Sequence, residues 1–154
     1  MQGGVDMASV FDVAKYILHQ QEQKNKEIST WKLQKLCYYS QAWELAWTGN
    51  PLFSEEFEAW TNGPVCRELY NEHKGRFYVK EDHLHKGNLD ALNEEQKETI
   101  DIVLKDYGDM EPYQLREQTH AEAPWKDARK GCPDGAPCQN VISKEAMGNY
   151  YGAL

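Results

Sequence analysis

The sequence has no long apolar run and no excess of basic residues. No segment reaches the roughly 18 consecutive apolar residues of a membrane-spanning helix, and the N-terminus lacks a basic region followed by an apolar core. The 25 acidic residues outnumber the 17 basic ones, which leaves a formal net charge of -8. Because phosphate groups are bound by clustered Lys and Arg, neither nucleic acid nor an anionic membrane is an expected partner. These absences predict a soluble, cytoplasmic protein.

Cysteine is also scarce, with four in 154 residues. Cys37 and Cys66 lie inside apolar helical patterns, where a free Cys acts as a small hydrophobic residue, and this placement favours a reducing compartment. Five residues separate Cys132 from Cys138 and no second Cys or His pair follows, so a zinc site is not predicted. Two alternatives stay open for this loop, namely two free thiols or one labile disulfide. A domain of this length folds without a metal or cofactor, and none is expected.

Helical spacing of apolar residues dominates the chain. Seven helices are predicted, over residues 10–23, from Ser29 or Thr30 to Gly49, over 64–75, 93–107, 112–118 and 124–129, and after Ser143. Short strands or extended segments are predicted within residues 52–60 and 76–80. The fold class is therefore mainly α, a compact single-domain helical fold with a small two-stranded β element. Residues 1–8 are expected to form a disordered leader, and residues 9–154 the single domain.

The stretch FEAWTNGPVCRELY, residues 57–70, combines an extended run with a turn and a helix. Asn62 and Gly63 supply a turn that tolerates positive φ. Pro64 suits the first position of a helix, because its missing N–H would have no partner there. We therefore expect an extended segment, a tight turn and then a helix begun by Pro64.

Tryptophan is used five times. Trp43 and Trp47 have helical spacing that assigns them to the core. Trp60 and Trp125 flank turns, where an indole can be half-buried and available to a partner. For these two the sequence leaves open a choice between a core residue and a partner anchor.

His120 and Glu122 form the best candidate catalytic pair, because an imidazole beside a carboxylate can act as a general acid and base. The sequence nevertheless has no nucleophile elbow, phosphate-binding glycine loop or HExxH helix. A structural role is favoured, in which both side chains bind backbone groups at the start of the helix opened by Pro124.

Negative charge is concentrated in one part of the chain. From Asp90 to Glu122, ten acidic residues accompany three basic ones. Such a segment can attract a basic partner, although a charged helix face is more often a solvated surface.

Two stretches of the sequence, residues 29–70 and 119–129, closely resemble the Panacea domain family, which comprises SocA-like and GepA-like phage-associated antitoxin proteins. The matching residues are Leu33, Gln34, Lys35, Leu36, Tyr38 and Tyr39, then Pro51, Leu52 and Phe53, then Glu58, Ala59, Trp60, Gly63, Pro64 and Val65, and finally Thr119, His120, Glu122, Pro124 and Trp125. The resemblance spans residues 9–130.

The resemblance implies an antitoxin that neutralises a cognate toxin by direct protein binding. SocA-type members imply an alternative, a proteolytic adaptor that delivers the toxin to an ATP-dependent protease. A non-enzymatic role is expected, with a small hydrolase or transferase using His120 and Glu122 as a further alternative. The candidate partner-binding residues are Trp60, Asn62, Gly63, Pro64, Arg67, His120, Glu122 and Trp125. We expect segments 60–67 and 120–125 to shape one binding face, with the helix of residues 93–107 at its rim.

Overall fold

A computed structural model describes residues 7–154 and contains seven α-helices within them. The helices are α1 Val10–Gln23, α2 Thr30–Thr48, α3 Arg67–His73, α4 Glu94–Tyr107, α5 Pro112–Ala121, α6 Ala123–Ala128 and α7 Lys144–Gly152. The mainly helical class predicted from the sequence is confirmed. The leader prediction for residues 1–6 lies outside the described residues, whereas Ala8 is 5% exposed and packs in the core.

The strands are short and form two antiparallel sheets rather than one two-stranded element. They are β1 Ile28–Ser29, β2 Phe57–Trp60, β3 Gly63–Val65, β4 Tyr78–Val79 and β5 Val141–Ile142. β1 pairs with β4, and the second sheet has the order β3-β2-β5. The strand β5 comes from a segment in which no strand was predicted, and it pairs Ile142 with Phe57.

Local capping chemistry determines most helix ends. Ser9 and Asp12 form a capping box at α1, and Asn93 and Gln96 form another at α4. The helix α2 begins after Ser29 and ends at Gly49, which takes the left-handed conformation with φ of 77°. Such helix ends can be predicted from the sequence because each capping residue acts on backbone groups within one or two turns of itself.

The prediction that Pro64 opens a helix is wrong. Pro64 lies in β3 opposite Ala59, and α3 begins only at Arg67. β3 is an edge strand, where the missing N–H of Pro64 removes no necessary ladder bond. Gly63, with φ of 128°, reverses the chain so that β3 returns along β2 instead of leaving as a helix.

The helix α2 is the centre of the fold and packs against α1, α4 and α7. It is apolar on more than one face, as expected for a core helix. Two buried glutamines on it bind irregular backbone. Gln41 accepts a hydrogen bond from the N–H of Leu52 at 2.7 Å and donates to the carbonyl of Phe53 at 2.8 Å. Gln34 does the same for Cys66, accepting at 2.8 Å and donating at 3.2 Å.

The assignment of Trp47 to the core is wrong, since Trp47 is 48% exposed. Trp43 is half-buried and donates a hydrogen bond to the Tyr107 hydroxyl at 3.0 Å. Helical spacing identifies the side of a helix on which a residue lies. It does not determine how far along the helix the neighbouring elements extend, and the last turn of α2 is only partly covered. Within residues 7–154, no helix has the length and apolar character needed to span a bilayer.

Candidate functional site

The outer face of the β2–β3 hairpin carries the first part of the site. Alternation along β2 buries Phe57 and Ala59 and leaves Glu58 and Trp60 half-buried on the opposite face. The Trp60 indole donates to the Glu58 carboxylate at 2.8 Å, and the Arg67 guanidinium pairs with the same carboxylate at 3.0 Å. Arg67 also lies 5.3 Å from the centroid of the Trp60 ring. These contacts hold the indole in one orientation.

A cavity of about 330 Å³ lies beside this hairpin. It is lined by Trp31, Trp60, Thr61, Asn62, Arg67, Pro137, Cys138 and Gln139. Three of the predicted partner-binding residues, Trp60, Asn62 and Arg67, therefore line one cavity. Among residues 7–154, α4 contributes no side chain to this lining, so the predicted rim from residues 93–107 is not found here.

The joint between α5 and α6 lies behind Trp60. The indole of Trp125 donates to the backbone carbonyl of Trp60 at 2.9 Å. The His120 ring stacks on Trp125, with 3.8 Å between centroids and an angle of 9° between the planes. The two segments predicted to pack together therefore contact each other, and His120 and Trp125 support the cavity wall.

Arg129 connects this joint to the loop of residues 131–138. Its guanidinium is buried, lies 5.3 Å from the Trp125 ring centroid and donates to the carbonyls of Ala59 and Ala136 at 2.9 and 2.7 Å. A disulfide joins Cys132 and Cys138 within the loop, the second of the two states that the sequence left open. The cavity wall formed by Cys138 is thus fixed to the hairpin.

Glu122 does not lie on this face. It is 5% exposed and accepts hydrogen bonds from the hydroxyls of Tyr39 and Tyr151, both at 2.7 Å, and from the Gln118 amide at 3.0 Å. Burial, followed by the nearby Glu122 carboxylate, raises the pKa of Tyr39 well above its ordinary value, so the phenol remains a donor.

The predicted structural role of His120 and Glu122 is wrong in its detail, because within the described residues neither side chain binds a backbone group at the start of α6. Among residues 7–154, no hydrogen bond joins His120 to Glu122, and Glu122 makes no side-chain cap on α6. The arrangement suits positioning of the α5–α6 joint better than proton transfer between the two residues.

Gly63 and Pro64 are buried beneath the hairpin turn. A Cβ atom at Gly63 would lie 3.1 Å from Cε of Lys35 and 3.3 Å from Oγ1 of Thr119. The glycine is therefore required both by its positive φ and by the close approach of α2 and α5. Both residues shape the site without lining the cavity.

Sequence reasoning did not assign Trp31, Lys35 or Arg129 to the site. Lys35 carried a usable signal, because it is a charged residue in a helix whose surrounding positions are apolar on several faces. Trp31 and Arg129 carried no comparable signal, since their roles depend on the hairpin and on the loop of residues 131–138.

The family comparison covers most of the elements that form this site. Residues 33–126 match the model of the antitoxin SocA-like, Panacea domain, a span that includes most of α2, the hairpin and the α5–α6 joint. No curated protein and no solved structure was matched by the chain. The family match covers more than half of the 154 residues. The chain therefore belongs to the SocA-like antitoxin family with a Panacea domain.

Proposed function

We propose that this protein neutralises a cognate toxin by binding it directly, without catalysis and in the cytoplasm. Membership of an antitoxin-like family supports the role and implies a toxin partner. The observation that carries the proposal is the cavity lined by Trp31, Trp60, Asn62 and Arg67. Trp and Arg are enriched among the residues that contribute most to protein interfaces.

The cavity is preorganised for binding. Glu58 and Arg67 hold the Trp60 indole in one orientation. Trp125 donates a hydrogen bond to the backbone carbonyl of Trp60. A partner side chain that enters such a cavity does not incur the entropy cost of ordering a mobile tryptophan. We propose that an apolar or aromatic toxin side chain occupies it.

A neighbouring cavity suggests the charge of the toxin surface. Its lining includes Glu55, Glu56, Glu58 and Glu68, and it shares Arg67 with the first cavity. A basic toxin segment beside the apolar anchor would complement these carboxylates and the overall charge of -8.

The test is co-expression with the protein encoded beside this one, scoring growth rescue and co-purification together. Trp60→Ala is the test variant. Trp47→Ala is the matched control, because Trp47 is exposed and lies outside the cavity lining. Rescue and a stable complex with the wild type and Trp47→Ala, but not with a folded Trp60→Ala, are expected.

Other outcomes separate the alternatives. Growth rescue accompanied by loss of the toxin would favour the adaptor, which a pull-down with ATP-dependent proteases would then identify. The absence of both rescue and complex would contradict the proposed function. Equal binding by folded Trp60→Ala and by the wild type would leave the antitoxin role but exclude this cavity as the binding site.

A further inference from the structure

Lys35 is a buried residue whose ammonium has neither a hydrogen-bond nor an ion-pair partner in the described part of the chain. Its side chain leaves α2 beneath the hairpin turn and the residue is 2% exposed. Among residues 7–154 it makes no side-chain hydrogen bond and no ion pair. Burial, followed by the nearby Arg116, lowers the pKa of Lys35 to about 8, so the ammonium is still mostly charged at neutral pH. A buried charge normally requires compensation.

His120 presents a second polar group without a partner. Its Nε2 atom is buried and has no hydrogen-bond partner within residues 7–154. Burial, followed by Arg116 and Lys35, lowers the pKa of His120 to about 4, so the ring is neutral at pH 7. A neutral imidazole with its proton on Nε2 has a free N–H donor there. Stacking on Trp125 fixes the plane in which this donor lies.

Several positive groups act on Lys35 and His120. Arg116 lowers the pKa of both Lys35 and His120, and Arg129 contributes at His120. The carboxylate that acts on His120 is Glu117, whose side chain is 74% exposed and 4.0 Å from Arg116. In a chain with a charge of -8, this local excess of cations favours an anion.

The group lies at the edge of the cavity. The Lys35 ammonium is 5.9 Å from the ring centroid of Trp31, which lines the cavity. Arg116 donates at 3.4 Å to Asn62, which also lines it. A carboxylate has two acceptor oxygens, enough to accept from a cationic side chain and from an imidazole N–H together.

We propose that Lys35, Arg116 and His120 bind one carboxylate group that the toxin supplies, next to the apolar anchor in the cavity. The part of this proposal that names the toxin as the source of the carboxylate rests on the proposed function. The burial of a lysine that has no hydrogen-bond or ion-pair partner among residues 7–154 is then explained by its use in the complex.

The first experiment needs no toxin. The isotopically labelled full chain is titrated by NMR with sodium acetate, and with sodium chloride at matched ionic strength, near neutral pH. A saturable acetate shift is expected at the His120 imidazole and at the Gly63 amide. His73, which is buried elsewhere against Gln34, is the internal reference. The shift should be lost in Lys35→Met and kept in Lys32→Met, a variant one helical turn away whose lysine binds the Gly108 carbonyl.

The absence of a saturable shift, or equal shifts in Lys35→Met and the wild type, would overturn the carboxylate site. Response to inorganic phosphate but not to acetate would overturn the choice of a carboxylate. These outcomes do not depend on whether the toxin binds, which co-purification decides separately.

The second experiment tests the source. Acetate at its saturating concentration should weaken the purified toxin complex by about tenfold in Kd, equivalent to about 1.4 kcal/mol. The Lys35→Met complex should be weaker at the outset and insensitive to acetate. An acetate-binding wild-type protein whose toxin complex is unaffected by acetate would overturn the toxin as the source.

Discussion

The indole Nε1 of Trp125 donates a hydrogen bond to the backbone carbonyl of Trp60 at 2.9 Å, across 65 residues of sequence. His120 stacks on the Trp125 ring, and the Arg129 guanidinium lies 5.3 Å from its centroid. Trp60 lines the cavity and Trp125 does not. The two tryptophans that the sequence could not separate thus have different positions, one at the cavity and one supporting it.

Trp125→Phe tests this support. The phenyl ring can still stack on His120, but the Trp60 carbonyl loses its donor, so we expect the free energy of unfolding to fall by about 1 kcal/mol. Chemical denaturation measures the change, and a toxin-binding titration should show weaker binding. Trp47→Phe is the control, because Trp47 makes no side-chain hydrogen bond within residues 7–154. Unchanged stability in Trp125→Phe would show that the hydrogen bond contributes nothing.

Glu122→Ala should be among the most destabilising substitutions. It leaves the buried hydroxyls of Tyr39 and Tyr151 without their acceptor, at an expected cost of about 3 kcal/mol or more. Glu122→Gln retains one acceptor oxygen for the tyrosines and should cost less. Glu117→Ala, on the exposed side of α5, is the control and should change stability little. A well-folded Glu122→Ala with wild-type stability and measurable loss of a catalytic turnover would instead support the enzyme alternative.

Gln34→Ala should destabilise the protein through the backbone of another segment. The Gln34 amide accepts from the N–H of Cys66 and also binds Nε2 of the buried His73, and its loss leaves these two buried groups unpaired, at a cost of about 2 to 4 kcal/mol. Thermal or denaturant unfolding measures this. Gln23→Ala, at an exposed position at the end of α1, is the matched control. A similar small effect for both variants would contradict the proposed role of Gln34.

Lys35→Met should make the protein more stable at neutral pH, by about 1 to 3 kcal/mol, because it replaces a buried cation, which has no ion-pair partner among residues 7–154, with an apolar side chain of similar length. The folded-state pKa of Lys35, about 8, lies below its ordinary value of 10.5. Between these pH values the unfolded state binds more protons, so wild-type stability should rise with pH in this window.

The comparison of pH profiles checks this prediction. Relative to the wild type, Lys35→Met should lack the rise in unfolding free energy between pH 8 and pH 10.5. Parallel profiles, or a less stable variant at neutral pH, would show that the ammonium is compensated in the folded protein.

Much of the helical framework was predictable because its signals are local. Ser9, Gly49, Asn93 and Ser143 act on backbone groups of their own helix, and the apolar spacing between them identifies the buried faces. The prediction for Pro64 was wrong because it used local signals alone. A proline after a turn is compatible with either a helix start or an edge strand. The choice depended on whether β2 was available for pairing.

The candidate site was predictable in part. Trp60, Asn62 and Arg67 were found because they flank a recognisable turn. Glu122 was placed at the binding face because its motif neighbours lie there, whereas its side chain points to Tyr39 and Tyr151 in the interior. The direction of a side chain at a helix joint depends on which donors from distant helices are within reach.

The sequence by itself therefore determined the mainly helical class, most helix ends and, through its motifs, membership of the antitoxin family. These properties depend on residue spacing and on hydrogen bonds within a few residues. Only the tertiary structure decided that Trp125 supports Trp60 and that Arg129 joins the hairpin to the disulfide loop. It also decided that Lys35 and His120 lie near each other, with no hydrogen-bond partner for either side chain within residues 7–154. Those relationships bring together residues tens of positions apart, and their distances exist only after the core around α2 has packed.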